Sequence, residues 1–460
     1  MYIPRLMCTQ HPDSTVKVTT AEEVEEAAVA YLAYGCDEVM IDYEGKATPY
    51  TQPRDVASKA VSLGIPLGMR YFITPRVPNP SLEDFERSML ALEASVLANS
   101  YSRRVAGVDA VRWVILPMVE DFNTLTLVYK ALDLKSRDVA ELNAAGGGSA
   151  IELIPLIEDA ERQLQVVRFV KVLFRAAANS GRVVENMRVF LGISDSAVRH
   201  GHAASALAIT YALQQIDAIN REGEYKIWPI VGMGSPPFRG GLNNPGLVRF
   251  ETAQYSGYYT ATIQSAVRYD VSYAEFLKVK EALLSASSPR REEVRGEWVK
   301  AASQMYRDVV RPYLPKIVES ASVIPSTRER VSWRQYGRAM GHGEMQVPRA
   351  IVYTATWYFV GLPPTLLDAR FIIWAYKTDQ LDAVLRALPA LVDEWGYDSS
   401  FYCRKRVESL LGGEPTKEVD VALDIMGIKP EPNETYIALL RNADTQAHAL
   451  ALGRMRGFLG

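Results

Sequence analysis

The chain has 460 residues and a formal net charge of −3, with 48% hydrophobic and 23% charged residues. This length suits one large domain or two ordinary ones, and the composition excludes wholesale disorder. The near-neutral charge provides no overall attraction to nucleic acid or to an anionic membrane, so neither is expected as a partner. Local clusters of arginine must therefore bind any anionic ligand.

The cysteines are few: Cys8, Cys36 and Cys403, with no CxxC pair. Their odd number and wide spacing predict neither a disulfide framework nor a thiolate zinc site, and they fit a reducing compartment. The first residues do not resemble a signal peptide, and nowhere do 18 apolar residues run together. We therefore expect a cytoplasmic protein with no membrane partner.

The first half of the chain alternates short apolar runs with amphipathic segments. Seven runs rich in Val, Ile and Leu are bounded by Gly, Pro or polar residues, which is typical of strands buried on both faces of a parallel sheet. They lie at residues 3–8, 38–42, 66–73, 110–116, 151–157, 188–193 and 226–232. The repeated alternation predicts an α/β fold, and the strand count favours a (β/α)8 TIM-like barrel over a doubly wound sheet.

Helix signals lie between these runs. Thr20 followed by Glu23 predicts a capping box, and Ser81 is predicted to cap a helix that runs to about residue 98. From residue 250 onward, helical patterns dominate. We interpret residues 1–250 as most of the barrel and residues 251–460 as a large, mainly helical elaboration packed on it. The eighth strand is predicted near residues 321–325, before an Arg-rich loop at 326–348.

Polar residues follow the predicted strands at the points where functional groups of a parallel barrel cluster. One imidazole, several carboxylates and several guanidiniums meet on one rim, which suits a divalent cation with a phosphate-bearing substrate. In strand order these residues are His11, Glu44, Arg76, Glu158, Asp195, and Arg239 with Gly240 and Gly241.

Each residue also has a structural interpretation. Glu158 could be a first-turn helix acid and Asp195 an N-cap, and singly these roles are as probable as metal binding. Two carboxylates on adjacent strand ends would repel each other, however, and a bound Mg²⁺ removes that repulsion. His11 lies in a Pro-containing turn, which favours a catalytic role. His200 and His202, two residues apart, cannot share a helix face and are interpreted as structural.

Two arginine-containing segments remain open to two interpretations. The Phe238–Gly241 segment is either an anion-binding loop or a Gly-rich turn with a solvated arginine. In the first case, the glycines let the backbone come close to the ligand while the guanidinium binds its oxygens. The later cluster is either a solvated face or a mobile anion-binding lid. It contains Arg328, Arg330, Arg334 and Arg338.

These motifs, in this order, resemble the archaeal-type phosphoenolpyruvate carboxylase family. The resemblance spans residues 3 to about 370, and a family lysine three residues after the aspartate is replaced here by Val198, beside Arg199. The matching segments are Thr-Gln-His-Pro-Asp-Ser at 9–14, Ile-Pro-Leu-Ile-Glu at 154–158, Ser-Asp-Ser at 194–196, Phe-Arg-Gly-Gly at 238–241, Ser-Thr-Arg at 326–328 and the segment 349–357.

The resemblance implies a carboxy-lyase that makes oxaloacetate and phosphate from phosphoenolpyruvate and bicarbonate, through carboxyphosphate and an enolate. It implies Mg²⁺, with Mn²⁺ as a possible substitute, on Glu158 and Asp195, and a cytoplasmic homotetramer. His11, Arg239 and Arg76 are the predicted catalytic residues. The predicted substrate-binding residues are Arg328, Arg70, Arg330, Gly240 and Gly241.

Two alternatives remain at this stage. One is another metal-enolate barrel enzyme, such as an aldolase or lyase that releases pyruvate. The other is a non-catalytic barrel that acts as a binding protein. Fold alone does not choose among them, because barrels host many chemistries.

Overall fold

The computed structural model describes residues 2–9, 15–16, 18–142, 150–184, 187–223, 225–285, 292–325, 338–340 and 345–460. The predicted site residues His11, Arg328 and Arg330 lie outside the described residues.

Eight parallel strands form a closed barrel in chain order, and β1 closes it by pairing with β8 through Met7 and Thr262. Their runs of Val, Ile and Leu are buried on both faces, as expected for a barrel enclosed by helices. This confirms the predicted (β/α)8 barrel. The strands are β1 (Leu6–Thr9), β2 (Glu38–Asp42), β3 (Phe72–Arg76), β4 (Trp113–Leu116), β5 (Glu152–Ile157), β6 (Met187–Gly192), β7 (Ile227–Gly232) and β8 (Thr260–Ile263).

Helices connect these strands along the chain, as in other barrels of this class. They are α1 (Glu23–Leu32), α2 (Gln52–Ser62), α3 (Phe85–Ala106), α4 (Phe122–Leu142), α5 (Ala160–Gln163), α6 (Val166–Asn179), α7 (Ser194–His200), α8 (His202–Glu222) and α9 (Val248–Gln254).

After β8 the chain is mainly helical, apart from a short antiparallel pair, β9 (Arg338–Met340) and β10 (Met345–Val347). Among the described residues, none of its helices combines the length and apolarity that crossing a bilayer requires. These helices are α10 (Ser265–Tyr269), α11 (Tyr273–Leu284), α12 (Gly296–Val310), α13 (Leu314–Ser320), α14 (Ala350–Val360), α15 (Ala369–Lys377), α16 (Leu381–Ala387), α17 (Leu391–Ser399), α18 (Arg404–Leu411), α19 (Glu414–Met426), α20 (Glu434–Arg441) and α21 (Gln446–Arg456).

The helical half packs directly on the barrel. Helix α12 lies against α8 and α7, and α14 lies against α7 and α21. Because α7 follows β6 at the barrel mouth, this packing brings the start of α14 over the carboxyl ends of the strands. The elaboration therefore contributes residues to that end of the barrel.

The eighth strand is not where the sequence analysis predicted it. Residues 321–323 form a 3-10 turn, and the barrel closes instead through Thr260–Ile263, inside a stretch interpreted as helical. The strand has only four residues and lies between α9 and α11, so helical periodicity on both sides obscured it. Its Ala261 N–H donates to the carbonyl of Arg5, which completes the closure.

Local boundaries also differ from prediction. Strand β3 covers Phe72–Arg76, whereas residues 66–71 form the turn before it, so Arg76 ends the strand. Helix α1 begins at Glu23 and Thr20 does not cap it; the Glu22 carboxylate instead accepts hydrogen bonds from the backbone and hydroxyl of Thr19. Helix α3 begins at Phe85, later than predicted.

One disulfide joins Cys8 to Cys36, in contrast to the prediction that the cysteines form no disulfide framework. The two residues are 28 positions apart in sequence, but β1 and β2 are neighbours in the barrel, with Cys8 beside Val39. Helix α1 returns the chain to the start of β2 and so brings Cys36 to Cys8. Cysteine counting could not detect this proximity because it arises from strand pairing.

Candidate active site

A cavity opens at the carboxyl ends of the barrel strands. Its walls are formed by the ends of β1, β3, β6 and β7, by residues that follow β5, β7 and β8, and by the starts of α7 and α14, and its floor is the apolar layer of the barrel interior. The polar residues are Thr9, Arg76, Glu158, Ser194, Asp195, Arg239, Gln264 and Arg349, and the large apolar ones are Met40, Leu156, Phe190 and Ile351.

Two arginines and three carboxylates form a chain of ion pairs at this mouth. Arg76 Nε donates to Asp42 Oδ1 at 2.8 Å, and its Nη2 lies 2.9 Å from Glu44 Oε2. Arg349 Nη1 donates to Glu44 Oε1 at 2.9 Å, and its Nη2 donates to Asp195 Oδ2 at 2.9 Å. The guanidiniums are thus held in fixed orientations before any substrate arrives.

The electrostatics keep both arginines charged. Burial by itself lowers the pKa of Arg76, but the carboxylates of Asp42 and Glu44 outweigh it and hold the pKa above its ordinary value. The same balance raises the pKa of Arg349, where the carboxylates are Glu44, Asp195 and Glu158. Both guanidiniums therefore remain cationic at every physiological pH.

The two predicted metal ligands line this same cavity. Glu158 follows β5 with 8% of its surface exposed, and its Oε2 accepts a hydrogen bond from the Met118 N–H at 3.2 Å. A Cβ on Gly192 would lie 2.8 Å from Glu158 Cγ, so the absence of a side chain there leaves room for the glutamate. Asp195 lies in the first turn of α7 and is not its N-cap, which is Ile193.

The donor set fits a hard divalent cation. Mg²⁺ is typically held by one or two protein carboxylates, with water and substrate oxygens completing its shell. Glu158 and Asp195 supply two such carboxylates on one cavity, while the described residues contain no group of three or more His, Cys, Asp or Glu suited to a metal. The site therefore suits a cation that binds together with an oxygen-rich substrate.

Arg239 is presented by a tight turn after β7. Residues Pro237–Arg239 form a 3-10 turn, and Gly240 and Gly241 follow with φ of 103° and 69°, a region that favours glycine. Arg239 Nε donates to Ser194 Oγ at 3.2 Å, and its Nη1 donates to the Gly460 carbonyl. The glycines thus serve the turn, and Arg239 reaches the cavity wall.

A cluster of buried acids lies behind this turn. The Glu251 carboxylate contacts Gly241, and Glu394 Oε2 lies 2.5 Å from His202 Nε2. Burial raises the pKa of Glu251 well above its ordinary value. Burial likewise raises the pKa of Asp368 to about 7 and that of Asp398 to about 6. These buried carboxyls therefore hold a proton to a higher pH than ordinary acids do.

The structure separates other predicted residues from the cavity. Arg70 precedes β3, is exposed and lies over the Tyr71 ring, so it lies at the opposite end of the barrel from the cavity. This position differs from the predicted contact of Arg70 with the substrate. Arg199 pairs with Glu120 and Asp159 outside the cavity. His200 bonds Asp159 at 2.8 Å, and neither it nor His202 lines the cavity.

Sequence reasoning assigned no role to Arg349 and did not select Asp42. Arg349 opens the matched segment 349–357, but it is more than 150 residues from Asp195, and only the packing of α14 on α7 brings them together. Asp42 ends β2 and was counted as part of a buried strand. A search of both strand-end and helix-start positions would have found both residues.

Comparison with known proteins agrees with this geometry. A family model described as phosphoenolpyruvate carboxylase matches residues 3–460. Phosphoenolpyruvate carboxylase from Pyrobaculum aerophilum is 71% identical over 460 residues, with 100% of each chain covered. That from Pyrobaculum calidifontis is 53% identical, also with 100% of each chain covered. That from Methanosarcina barkeri is 30% identical, covering 95% of this chain and 91% of the relative.

Solved structures are much more distant. Haloferax volcanii malate synthase in its magnesium and glyoxylate complex has a TM-score of 0.46 and 12% identity, over 85% of this chain and 97% of that chain. A likeness at this distance carries no information on function. The family match spans nearly the whole chain, and the relative of highest reported identity carries the same name as the family. This chain belongs to the phosphoenolpyruvate carboxylase family.

Proposed function

We propose that this enzyme carboxylates phosphoenolpyruvate with bicarbonate, in a reaction that depends on Mg²⁺ and that yields oxaloacetate and phosphate. One observation carries the proposal: Glu158, Asp195 and three arginines line a single cavity at the barrel mouth, in a chain of this family. The arginines are Arg76, Arg239 and Arg349.

The arginines suit a substrate that bears both a phosphate and a carboxylate. Arg76 and Arg349 are each oriented by two carboxylates, so little side-chain freedom is lost when an anion binds. Arg239 reaches the same cavity from its glycine turn and donates to Ser194, the neighbour of Asp195. We assign phosphate binding to Arg76, with Arg349 as the added partner, and the carboxyphosphate or CO₂ side to Arg239.

A divalent cation on Glu158 and Asp195 would supply Lewis-acid stabilisation of the negative charge that develops on the substrate oxygens. Arg349 also donates to Asp195, so this arginine couples the predicted metal ligand to the anion-binding groups. Substrate and cation are therefore expected to bind cooperatively.

In the proposed reaction, bicarbonate attacks phosphorus and the bond from phosphorus to the enolate oxygen breaks, giving carboxyphosphate and the enolate of pyruvate. His11, which lies outside the described residues, is the predicted base that accepts the carboxyphosphate proton. Carboxyphosphate then divides into CO₂ and phosphate, and the enolate carbon attacks CO₂. The carbon skeleton of oxaloacetate results.

The apolar floor supports the last step. Met40, Leu156 and Phe190 offer no acidic proton, so they do not convert the enolate into pyruvate. CO₂ is apolar and suits the same surface. A pyruvate-releasing aldolase or lyase would need a proton donor at this position, which the described lining of the floor does not contain.

The test is a coupled assay for oxaloacetate and phosphate, with and without bicarbonate and with and without EDTA. Both products should appear in equal amounts and require both bicarbonate and the metal. Replacing Arg349 with Gln should raise the KM for phosphoenolpyruvate, whereas Arg54→Gln, an exposed arginine paired with its neighbour Asp55, should not. Pyruvate formation without bicarbonate would contradict the proposal.

A further inference from the structure

The turn after β4 has an unusual backbone. Met118 has φ of 51°, and among the described residues other than glycine only Asp379 shares a positive φ. A side chain in this left-handed region is disfavoured because its Cβ comes too close to the following carbonyl oxygen. Such a conformation persists only where surrounding contacts enforce it, and these residues cluster at functional sites.

Asn79 provides the enforcing contacts. Its side chain is buried, and its Nδ2 donates to the carbonyls of Pro117 at 2.9 Å and Met118 at 3.1 Å. Its Oδ1 accepts from the backbone and hydroxyl of Ser81 at 3.0 and 2.7 Å. The carboxamide is therefore fixed on one side by Ser81 and holds both turn carbonyls on the other.

The turn directs one backbone donor at the cavity. The Met118 N–H donates to Glu158 Oε2 at 3.2 Å, and Gly192 of the neighbouring strand packs against Glu158 Cγ from another side. The Pro117 carbonyl and the Met118 N–H belong to one planar peptide unit, so the Asn79 bond to that carbonyl also fixes the direction of the N–H. The strained conformation thus has a specific consequence: it restricts the rotation of the Glu158 carboxylate.

We propose that Asn79 and the left-handed Met118 form a positioning device that orients the Glu158 carboxylate for the divalent cation. The inference rests on the proposed function, because it takes Glu158 as a metal ligand. Hydrogen bonds that orient metal ligands typically contribute 10- to 100-fold in metal affinity. Neither residue touches the substrate or the cation in this scheme, and both act through Glu158.

The probe is Mn²⁺ alone, titrated into the full-length protein and followed by electron paramagnetic resonance of the free ion. Asn79→Ala should weaken Mn²⁺ binding about tenfold. Adding Met118→Gly to Asn79→Ala should restore part of that affinity, because glycine adopts positive φ without a side-chain penalty and keeps the N–H. Asn79→Asp, which keeps the Ser81 contacts but cannot donate to the carbonyls, should weaken binding if Asn79→Ala does not fold.

The matched control is Asn99→Ala. Asn99 is also buried and bonds both backbone groups of Val111, just before the opposite end of the same strand β4. Its loss should lower the melting temperature much as Asn79→Ala does, yet leave Mn²⁺ affinity within about twofold of wild type. A purely structural role for Asn79 would make the two variants alike.

The outcomes separate this inference from the proposed function. Mn²⁺ binding by Asn79→Ala and Asn79→Asp at wild-type affinity would overturn the positioning role, provided that Glu158→Gln weakens binding. Normal Mn²⁺ binding by Glu158→Gln, or none by the wild-type protein, would instead overturn the proposed metal site.

Discussion

The barrel interior and the barrel mouth both contain buried charges, contributed in part by the same strands. Strand β2 carries Glu38 in the interior and Asp42 at the mouth, and β6 carries Arg188 in the interior and leads into Asp195. Side chains of one strand alternate in direction, so Glu38 and Asp42 point the same way at different depths. The two regions differ in how their charges are arranged.

In the interior the charges form a closed pair. Arg188 donates from Nη1 and Nη2 to the two oxygens of Glu38, both at 2.8 Å, and neither residue is exposed to solvent. Thr74 also donates to Glu38, and Arg188 lies over the ring of Trp113. One cation faces one carboxylate, so the pair needs nothing further from a ligand.

At the mouth the charges form a network in which partners are shared. Among the described residues, four carboxylates surround Arg76 and Arg349: those of Asp42, Glu44, Asp195 and Glu158. Carboxylates held this close together repel one another unless cations lie among them. The comparison teaches that a closed pair supports the fold, whereas a charged network at the barrel mouth is placed where a ligand can reach it.

The largest expected effect concerns His11, the predicted base. His11→Asn should lose oxaloacetate formation almost completely while keeping residual bicarbonate-dependent phosphate release, because attack on phosphorus does not require the imidazole. Its free energy of unfolding should stay close to that of the wild type. Coupled assays for oxaloacetate and phosphate check this, and normal carboxylation by the variant would rule out the role of His11.

Asp195→Asn should separate function from stability. Loss of a metal ligand is expected to cost at least a thousandfold in kcat/KM, about 4 kcal/mol in the barrier. The metal-free variant should unfold within about 1 kcal/mol of wild type, because Arg349 keeps its bond to Glu44 while the repulsion between Asp195 and the other carboxylates is removed. Kinetics and urea unfolding test this against Asp382→Asn, an exposed control. A loss of only tenfold would argue against metal ligation.

The interior should respond in the opposite way. Arg188→Met leaves the Glu38 carboxylate buried without its partner, which is expected to cost about 3–5 kcal/mol in the free energy of unfolding. Adding Glu38→Gln should recover part of this loss, because the orphaned charge is removed. Urea unfolding of the single and double variants measures the coupling. A double variant less stable than Arg188→Met would show that the pair is not a closed unit.

The acid cluster behind the Arg239 turn should have the smallest effect, which is on the pH dependence of the free energy of unfolding. Burial raises the pKa of Glu251 above its ordinary 4.5, so the folded protein keeps a proton that the unfolded chain releases. The free energy of unfolding should therefore fall as the pH rises above about 4.5, until the folded pKa is passed.

Glu251→Gln, which mimics the protonated acid, should flatten this dependence and raise the free energy of unfolding at pH 8 by about 1 kcal/mol. Asp368 and Asp398 should leave a residual slope between about pH 4 and 7. Denaturation at several pH values tests this, with the exposed Glu431→Gln as the control. An unchanged slope would mean that Glu251 is ionised in the folded protein.

Much of the barrel could be predicted from local patterns. The run at 38–42 coincides with strand β2, and the runs at 151–157 and 226–232 each differ from a strand by one residue. Continuous apolar composition identifies such strands because both of their faces are buried. Strand β8 was missed because four residues between two helices carry too little periodicity.

The sequence by itself determined which residues could serve chemistry at the strand ends. Glu158, Asp195, Arg76 and Arg239 each follow or end a recognisable strand, and barrel geometry sends such residues to one mouth. Motif order along the chain was sufficient to identify the family.

Only the tertiary structure decided which charges meet. The contact of Arg349 with Asp195, the hold of Asn79 on Met118 and the Cys8–Cys36 disulfide each join segments that are distant in sequence. The physical reason is that periodicity and propensity report on neighbours along the chain. Pairing across the barrel depends instead on strand register and on how the helices pack over its mouth.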